Sequence, residues 1–212
     1  MVVACGLSQY SLALFHLINH AFFKALLFLS AGLVIHALVD QQDQRKMGSL
    51  VLFNPETYSL VLLGSLSLMA FPFLTGFYSK DLLLEIAIIP RNATILIGYL
   101  LILLAAFVTA CYSVRLMIVS FVSSPHIHHS LFADTDRIYP IPMLITVLLL
   151  SVGGCWFGYL ANELFLVSSY QGSLFVHPDN AIDSLVTGVP LLTLLILLFL
   201  VPVCLPVIKV GN

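Results

Sequence analysis

The chain has 212 residues, of which 60% are hydrophobic and 8% charged, with a formal net charge of −2; a soluble domain carries roughly a quarter of its residues as charges. Its solvent is therefore mostly lipid, and eight Lys and Arg in all exclude the basic surface that nucleic-acid binding requires. Cys5, Cys111, Cys155 and Cys204 stand far apart with no CxxC pair, which argues against a zinc site or a compact disulfide framework.

Only helices satisfy their own backbone groups within one segment in lipid. The expected fold is therefore an all-α, polytopic transmembrane helical bundle, one domain over 1–212, with spans at about 10–38, 57–88, 94–122, 140–164 and 187–208. Met1 to Tyr10 lacks the basic region of a cleavable signal, so the first helix is expected to be retained.

In the first span His16, His20 and Lys24 stand at i, i+4 and i+8, a polar line about 12 Å long on one helical face. Ionisable groups at membrane depth are costly and commonly mark an ion path, and histidine exchanges protons near neutrality. The alternative is that Lys24 snorkels to a headgroup while the histidines bond to neighbouring helices. Lys24 would then have to reach past about 14 residues of span on either side. His36, near the far end, suits an interfacial role equally well. The loop 39–56 that follows is the most charged, with Asp40, Asp43, Arg45, Lys46 and Glu56, and with Gly48 and Pro55 as breakers.

The second span is longer than one crossing needs and carries Phe71-Pro72-Phe73-Leu74-Thr75-Gly76-Phe77-Tyr78-Ser79-Lys80-Asp81 in its middle. Pro72 removes a backbone donor and Gly76 loosens the following turn. A broken helix is expected between about Phe71 and Tyr78, with Lys80 just after its restart, where a positive dipole end disfavours a protonated amine. Asp81 and Glu85 follow, one helical turn apart. Asp81 points about 100° away from Lys80, so the two are not assumed to pair. A plain proline kink with Lys80 and Asp81 paired off at an interface is the simpler alternative.

The third span closes on Tyr112-Ser113-Val114-Arg115. A guanidinium does not hand on protons, so Arg115 reads as a counter-charge or interfacial anchor. Loop 123–139 holds His126, His128, His129, Asp134, Asp136 and Arg137; it lacks metal-ligand spacing and reads as solvated. Five spans place Arg45, Lys46, Arg137 and Lys209 on one side and Arg91 on the other. The positive-inside rule then puts the C-terminus in the matrix or cytoplasm and the N-terminus outside. Phosphate loops, nucleophile elbows, haem-attachment pairs and iron–sulfur cysteine patterns are missing from the sequence.

Three stretches carry a resemblance: His16-Leu-Ile-Asn-His20-Ala-Phe-Phe-Lys24-Ala-Leu-Leu-Phe, Gln42-Asp43-Gln44-Arg45-Lys46-Met47-Gly48, and Phe71 to Asp81. In this order they resemble the antiporter-like, proton-translocating membrane subunits of respiratory complex I (NADH dehydrogenase), and most the C-terminal half of its subunit 5 type. The resemblance covers about the first 90 residues; the remainder matches in its pattern of spans and in Tyr112 to Arg115. It implies that Lys24 with His16 and His20, and Lys80, belong to a hydrated proton path; from the residues themselves Asp81 joins them as a candidate beside Lys80, with Glu85, Arg115 and His36 as secondary candidates.

The same resemblance implies several things beyond this chain. No cofactor is expected here, flavin and iron–sulfur clusters lying in partner subunits. The partners are other membrane-arm subunits, including a chain that carries the N-terminal half and the lateral helix, together with the lipid bilayer and no nucleic acid. The membrane is the mitochondrial inner one, a bacterial plasma membrane or thylakoid being the alternatives. Met1 to Gly6 looks like an interior segment of the family, so the chain is expected to be a fragment holding at most half of the path. The rival function is a subunit of a multi-subunit cation/proton antiporter, which shares the motifs without redox coupling; a structural assembly fragment is the third.

Overall fold

The computed structural model describes residues 1–38, 40–88, 93–124 and 141–170. Everything described is helix, turn or loop. In chain order come α1 (Val2–Gly6), α2 (Tyr10–Ala37), a 3-10 turn (Gln44–Lys46), α3 (Leu50–Phe53), α4 (Pro55–Leu68), α5 (Thr75–Ile88), α6 (Ala93–Met117) with a π-helical turn (Ile118–Val122), and α7 (Ile141–Tyr170).

Among the described residues three helices are long and apolar enough to cross a membrane, within Tyr10–Ala37, Leu96–Val122 and Ile141–Asn162. The expected second span differs, because it is divided into α4 and α5, each of 14 residues and about 21 Å long, short of a 30 Å hydrocarbon core. Pro55, read as a loop breaker, opens α4 at its first position, where its missing N–H costs nothing. The expected span 187–208, the histidine loop from His126 to Arg137, and Arg91 and Lys209 lie outside the described residues.

The chain interrupts itself at Met69 to Leu74 rather than at Phe71 to Tyr78. Ala70 takes a left-handed conformation at φ 63, Phe71 N–H bonds to the Leu66 carbonyl and Ala70 N–H to the Ser67 carbonyl. Those paired bonds terminate α4 at Leu68, four residues ahead of Pro72. Phe73, at φ 69, is a second left-handed residue before α5 starts at Thr75. Pro72 thus sits inside a turn that the backbone has already begun.

Helix α2 is the centre of the bundle, packed most extensively against α7 and α4 and then α5, while α6 lies on α5 and α4. Apolar clusters occupy both ends. One joins Val34 and Leu38 to Leu50, Val61, Met117 and Phe121; the other joins Leu12 and Phe15 to Leu82, Leu83 and Ala161. Buried polar side chains, among them Asn19, Ser67, Thr75, Ser79 and Asp81, gather at the level of the interruption. Lipid tails give helices no hydrophobic reason to associate, so polar contacts and close packing set this layer.

Candidate functional site

Each ionisable group of the site owes its place to one local feature. On α2, a spacing of four residues leaves successive side chains only about 40° apart, and His16, His20 and Lys24 line one side of a single cavity of about 320 Å³. The His16 and His20 rings lie 6.0 Å apart between centroids, and Phe23 meets His20 edge-on at 5.2 Å. Lys24 Nζ lies 6.0 Å from the centre of the Phe28 ring, at the outer limit for a cation over an aromatic face.

Lys80 enters the same cavity from α5. Its amine donates to the Leu68 carbonyl at 3.3 Å and to Thr109 Oγ1 at 3.5 Å. Leu68 is the last residue of α4, and its carbonyl has no helical partner because α4 stops there. The interruption therefore supplies the lysine with an acceptor. Because α5 starts at Thr75, Lys80 stands beyond its first turn, where the helix-end field has faded. The nearest helix end is the carbonyl end of α4, which attracts a cation; this reverses the dipole expectation drawn from the sequence.

The two helices touch within the site through His16 Nδ1 and Ser79 Oγ, 3.1 Å apart in a hydrogen bond whose direction follows the imidazole tautomer. Phe23, Gly76, Leu83, Ala105 and Ala106 give the remaining wall an apolar character, and Tyr112 also lines it. A cavity with polar groups on two sides and apolar walls has room for several water molecules.

The other sequence candidates fall elsewhere. Asp81 is 1% exposed, does not line the cavity, and neither of its carboxylate oxygens has a hydrogen-bond partner among the described residues. Glu85 lies one turn further along α5, half-buried and away from the cavity. His36, in the last turn of α2, and Arg115, in the last turn of α6, are exposed. They are not brought to the cavity.

Ser79 and Thr109 contact the site without having been candidates from the sequence, and Asn19 lies beside it on α2 without lining the cavity. Asn19 is fully buried with both amide atoms unpartnered among the described residues; an amide inside an apolar helix, between two histidines, was the available signal. Ser79 and Thr109 have no such signal, since hydroxyls commonly bond back to their own helix in membranes. Thr109 does this as well, to the Ala105 and Ala106 carbonyls.

Residues 1–109 match the family described as NADH:quinone oxidoreductase/Mrp antiporter, transmembrane. Similar proteins carry the name NADH-ubiquinone oxidoreductase chain 5. The chain is 49% identical to that of Mycosarcoma maydis over 183 residues, 85% of this chain and 27% of the relative. It is 50% identical to that of Metridium senile over 174 residues, 82% and 28%, and 46% identical to that of Arabidopsis thaliana over 187 residues, 86% and 28%. The chain thus spans little more than a quarter of the length of these relatives.

Proposed function

We propose that this chain, which belongs to the NADH:quinone oxidoreductase/Mrp antiporter transmembrane family, supplies part of a proton channel in the membrane arm of an NADH:ubiquinone oxidoreductase. One observation carries the reading: Lys24, His16, His20 and Lys80 meet around one cavity at the level where a helix is interrupted. Two amines and two imidazoles lining a space that holds water can pass protons by small rotations. Asp81, buried beside Lys80, biases the charge balance of that space without touching it.

The work of the chain in this reading is to hold and release protons at the two amines. Quinone reduction elsewhere shifts the local charge, and flavin and iron–sulfur chemistry resides in partner chains. The α4–turn–α5 segment crosses the bilayer as one unit, and with 187–208 it completes five spans in a single membrane domain over 1–212. The N-terminus faces outward and the C-terminus the matrix of a mitochondrion, in keeping with the excess of Lys and Arg on one side. The remaining length of the relatives corresponds to the N-terminal half and the lateral helix, which partner chains or a longer form of this chain provide.

The name of the family also covers cation/proton antiporters, whereas the names of the similar proteins favour the quinone-linked reading. The test is Lys24→Ala in the assembled complex reconstituted in vesicles. Proton pumping should fall at least severalfold while NADH oxidation by a soluble acceptor is retained. Undiminished pumping would end the proposal, and sodium-dependent exchange that proceeds without NADH would transfer it to the antiporter class.

A further inference from the structure

Both lips of the interruption are held from outside the α4–α5 segment, by α7. On the first lip, Ser67 Oγ donates to the Gly154 carbonyl at 3.3 Å. On the second, Thr75 Oγ1 donates to the Gly153 carbonyl at 3.1 Å and accepts from the Gly158 N–H at 3.3 Å. Ser67 and Thr75 are both 0% exposed. A hydroxyl has one proton to give and two lone pairs to offer, so Thr75 serves as donor and acceptor to the same helix at once.

The approach is tightest at Gly158, where α7 lies directly against the backbone of Thr75. A methyl at Gly158 would come within 2.6 Å of Thr75 Cα, backbone that no rotamer change can move. Small residues of this kind let membrane helices touch backbone to backbone; at Gly154, one turn earlier, an added methyl would meet only the side chains of Leu63 and Leu26. The turn between the lips contains two left-handed non-glycine residues, Ala70 and Phe73, a conformation that persists only where its surroundings impose it.

These contacts bear directly on Lys80. The lysine donates to the carbonyl of Leu68, the residue after Ser67, and it lies on the helix that Thr75 begins. Donor and acceptor of that bond thus belong to two separate 14-residue helices, each fastened to α7 by one hydroxyl. We propose that Ser67 and Thr75 are positioning residues that lock the two half-helices to the glycine face of α7 and so set the distance between Lys80 and the Leu68 carbonyl. This rests on the proton-channel reading above. With the lock in place the amine holds its carbonyl acceptor; with it open the two half-helices move apart independently, and Lys80 exchanges that carbonyl for water.

The experiment uses the assembled complex in vesicles and reads protons translocated per NADH oxidised, alongside the amount of complex assembled. Thr75→Val keeps the shape and removes both bonds. It is expected to lower the ratio severalfold, on the order of the fivefold population change that one net hydrogen bond controls. Thr75→Ser restores the ratio, since the hydroxyl returns. Ser67→Ala, which adds no bulk, lowers the ratio in the same direction and serves where Thr75→Val fails to assemble. A normal ratio in assembled Thr75→Val or Ser67→Ala complex overturns the proposal, as does a Thr75→Ser variant that loses assembly as fully as Thr75→Val. Lys80→Ala separates the two levels. If it abolishes pumping while Thr75→Val pumps normally, the positioning role alone falls; if Lys80→Ala pumps normally, the channel reading falls and the positioning role with it.

Discussion

Helix α2 and the α4–α5 pair bring lysines to the same cavity by opposite means. In α2 the backbone is continuous over 28 residues, every mid-helix carbonyl is taken, and Lys24 reaches the cavity purely by its spacing from His16 and His20. In α4–α5 the backbone is opened, and Lys80 binds a carbonyl that the opening released. A continuous helix can only present side chains. An interrupted one also presents its own backbone as a partner at membrane depth, where unpaired polar groups are otherwise excluded. The interruption is also met by a third helix, since α7 hydrogen-bonds to Ser67 and Thr75 on either side of it.

The sharpest way to break this contrast is to add one methyl to a glycine in each region. At Gly76 it would collide with the Ser67 carbonyl, backbone against backbone, and Gly76→Ala is expected to destabilise the fold by about 3 kcal/mol or more. At Gly32 of α2 it would meet only the terminal methyl of Met143, at 2.9 Å, and Gly32→Ala is expected to cost less than about 1 kcal/mol. Thermal inactivation of the assembled complex measures both. Equal losses at the two sites would show that the interruption is no tighter than an ordinary helix contact.

The next effect is at the junction of the two regions. Ser79→Ala removes the partner of His16 Nδ1, a loss of about 1 kcal/mol, and frees the imidazole to take either tautomer. Pumping should slow severalfold, with a changed pH profile, while Ser79→Thr preserves both. An unchanged profile in Ser79→Ala would mean that the bond is structural and outside the proton path.

The smallest expected effect carries opposite signs in the two regions. Ala70 is left-handed, a conformation that costs about 1–2 kcal/mol for a residue with a side chain, so Ala70→Gly should stabilise the interruption by about 1 kcal/mol. Ala21 is an exposed residue in the middle of α2, and there Ala21→Gly should destabilise by about 0.5–1 kcal/mol. Melting temperatures of the two variants that move in the same direction would contradict the difference between the regions.

Legibility in the sequence followed the range of the interaction. The shared face of His16, His20 and Lys24 needs nothing beyond helical periodicity, and it was readable. Pro72 and Gly76 marked the interruption to within a few residues. Its true start at Met69 was hidden, because Ala70 occupies a left-handed position that usually carries glycine, and alanine gives no such warning. The dipole expectation for Lys80 failed for the same reason, since moving the restart to Thr75 changes which helix end the amine meets. His36, Arg115 and Glu85 looked like candidates by charge alone, and charge does not say which way a helix faces.

From the sequence by itself came the lipid environment, the helical fold and the shared face of His16, His20 and Lys24, because hydropathy and a period of 3.6 residues are properties of neighbours along the chain. The tertiary structure alone decided that α7 closes the interruption and that Asp81 is buried outside the cavity. It also decided that Lys80 turns toward Leu68 and Thr109. Those outcomes depend on where small residues of one helix let the backbone of another approach, as at Gly158. Glycine in an apolar helix is read the same way wherever it stands, until a partner at a separation of some eighty residues comes to lie against it.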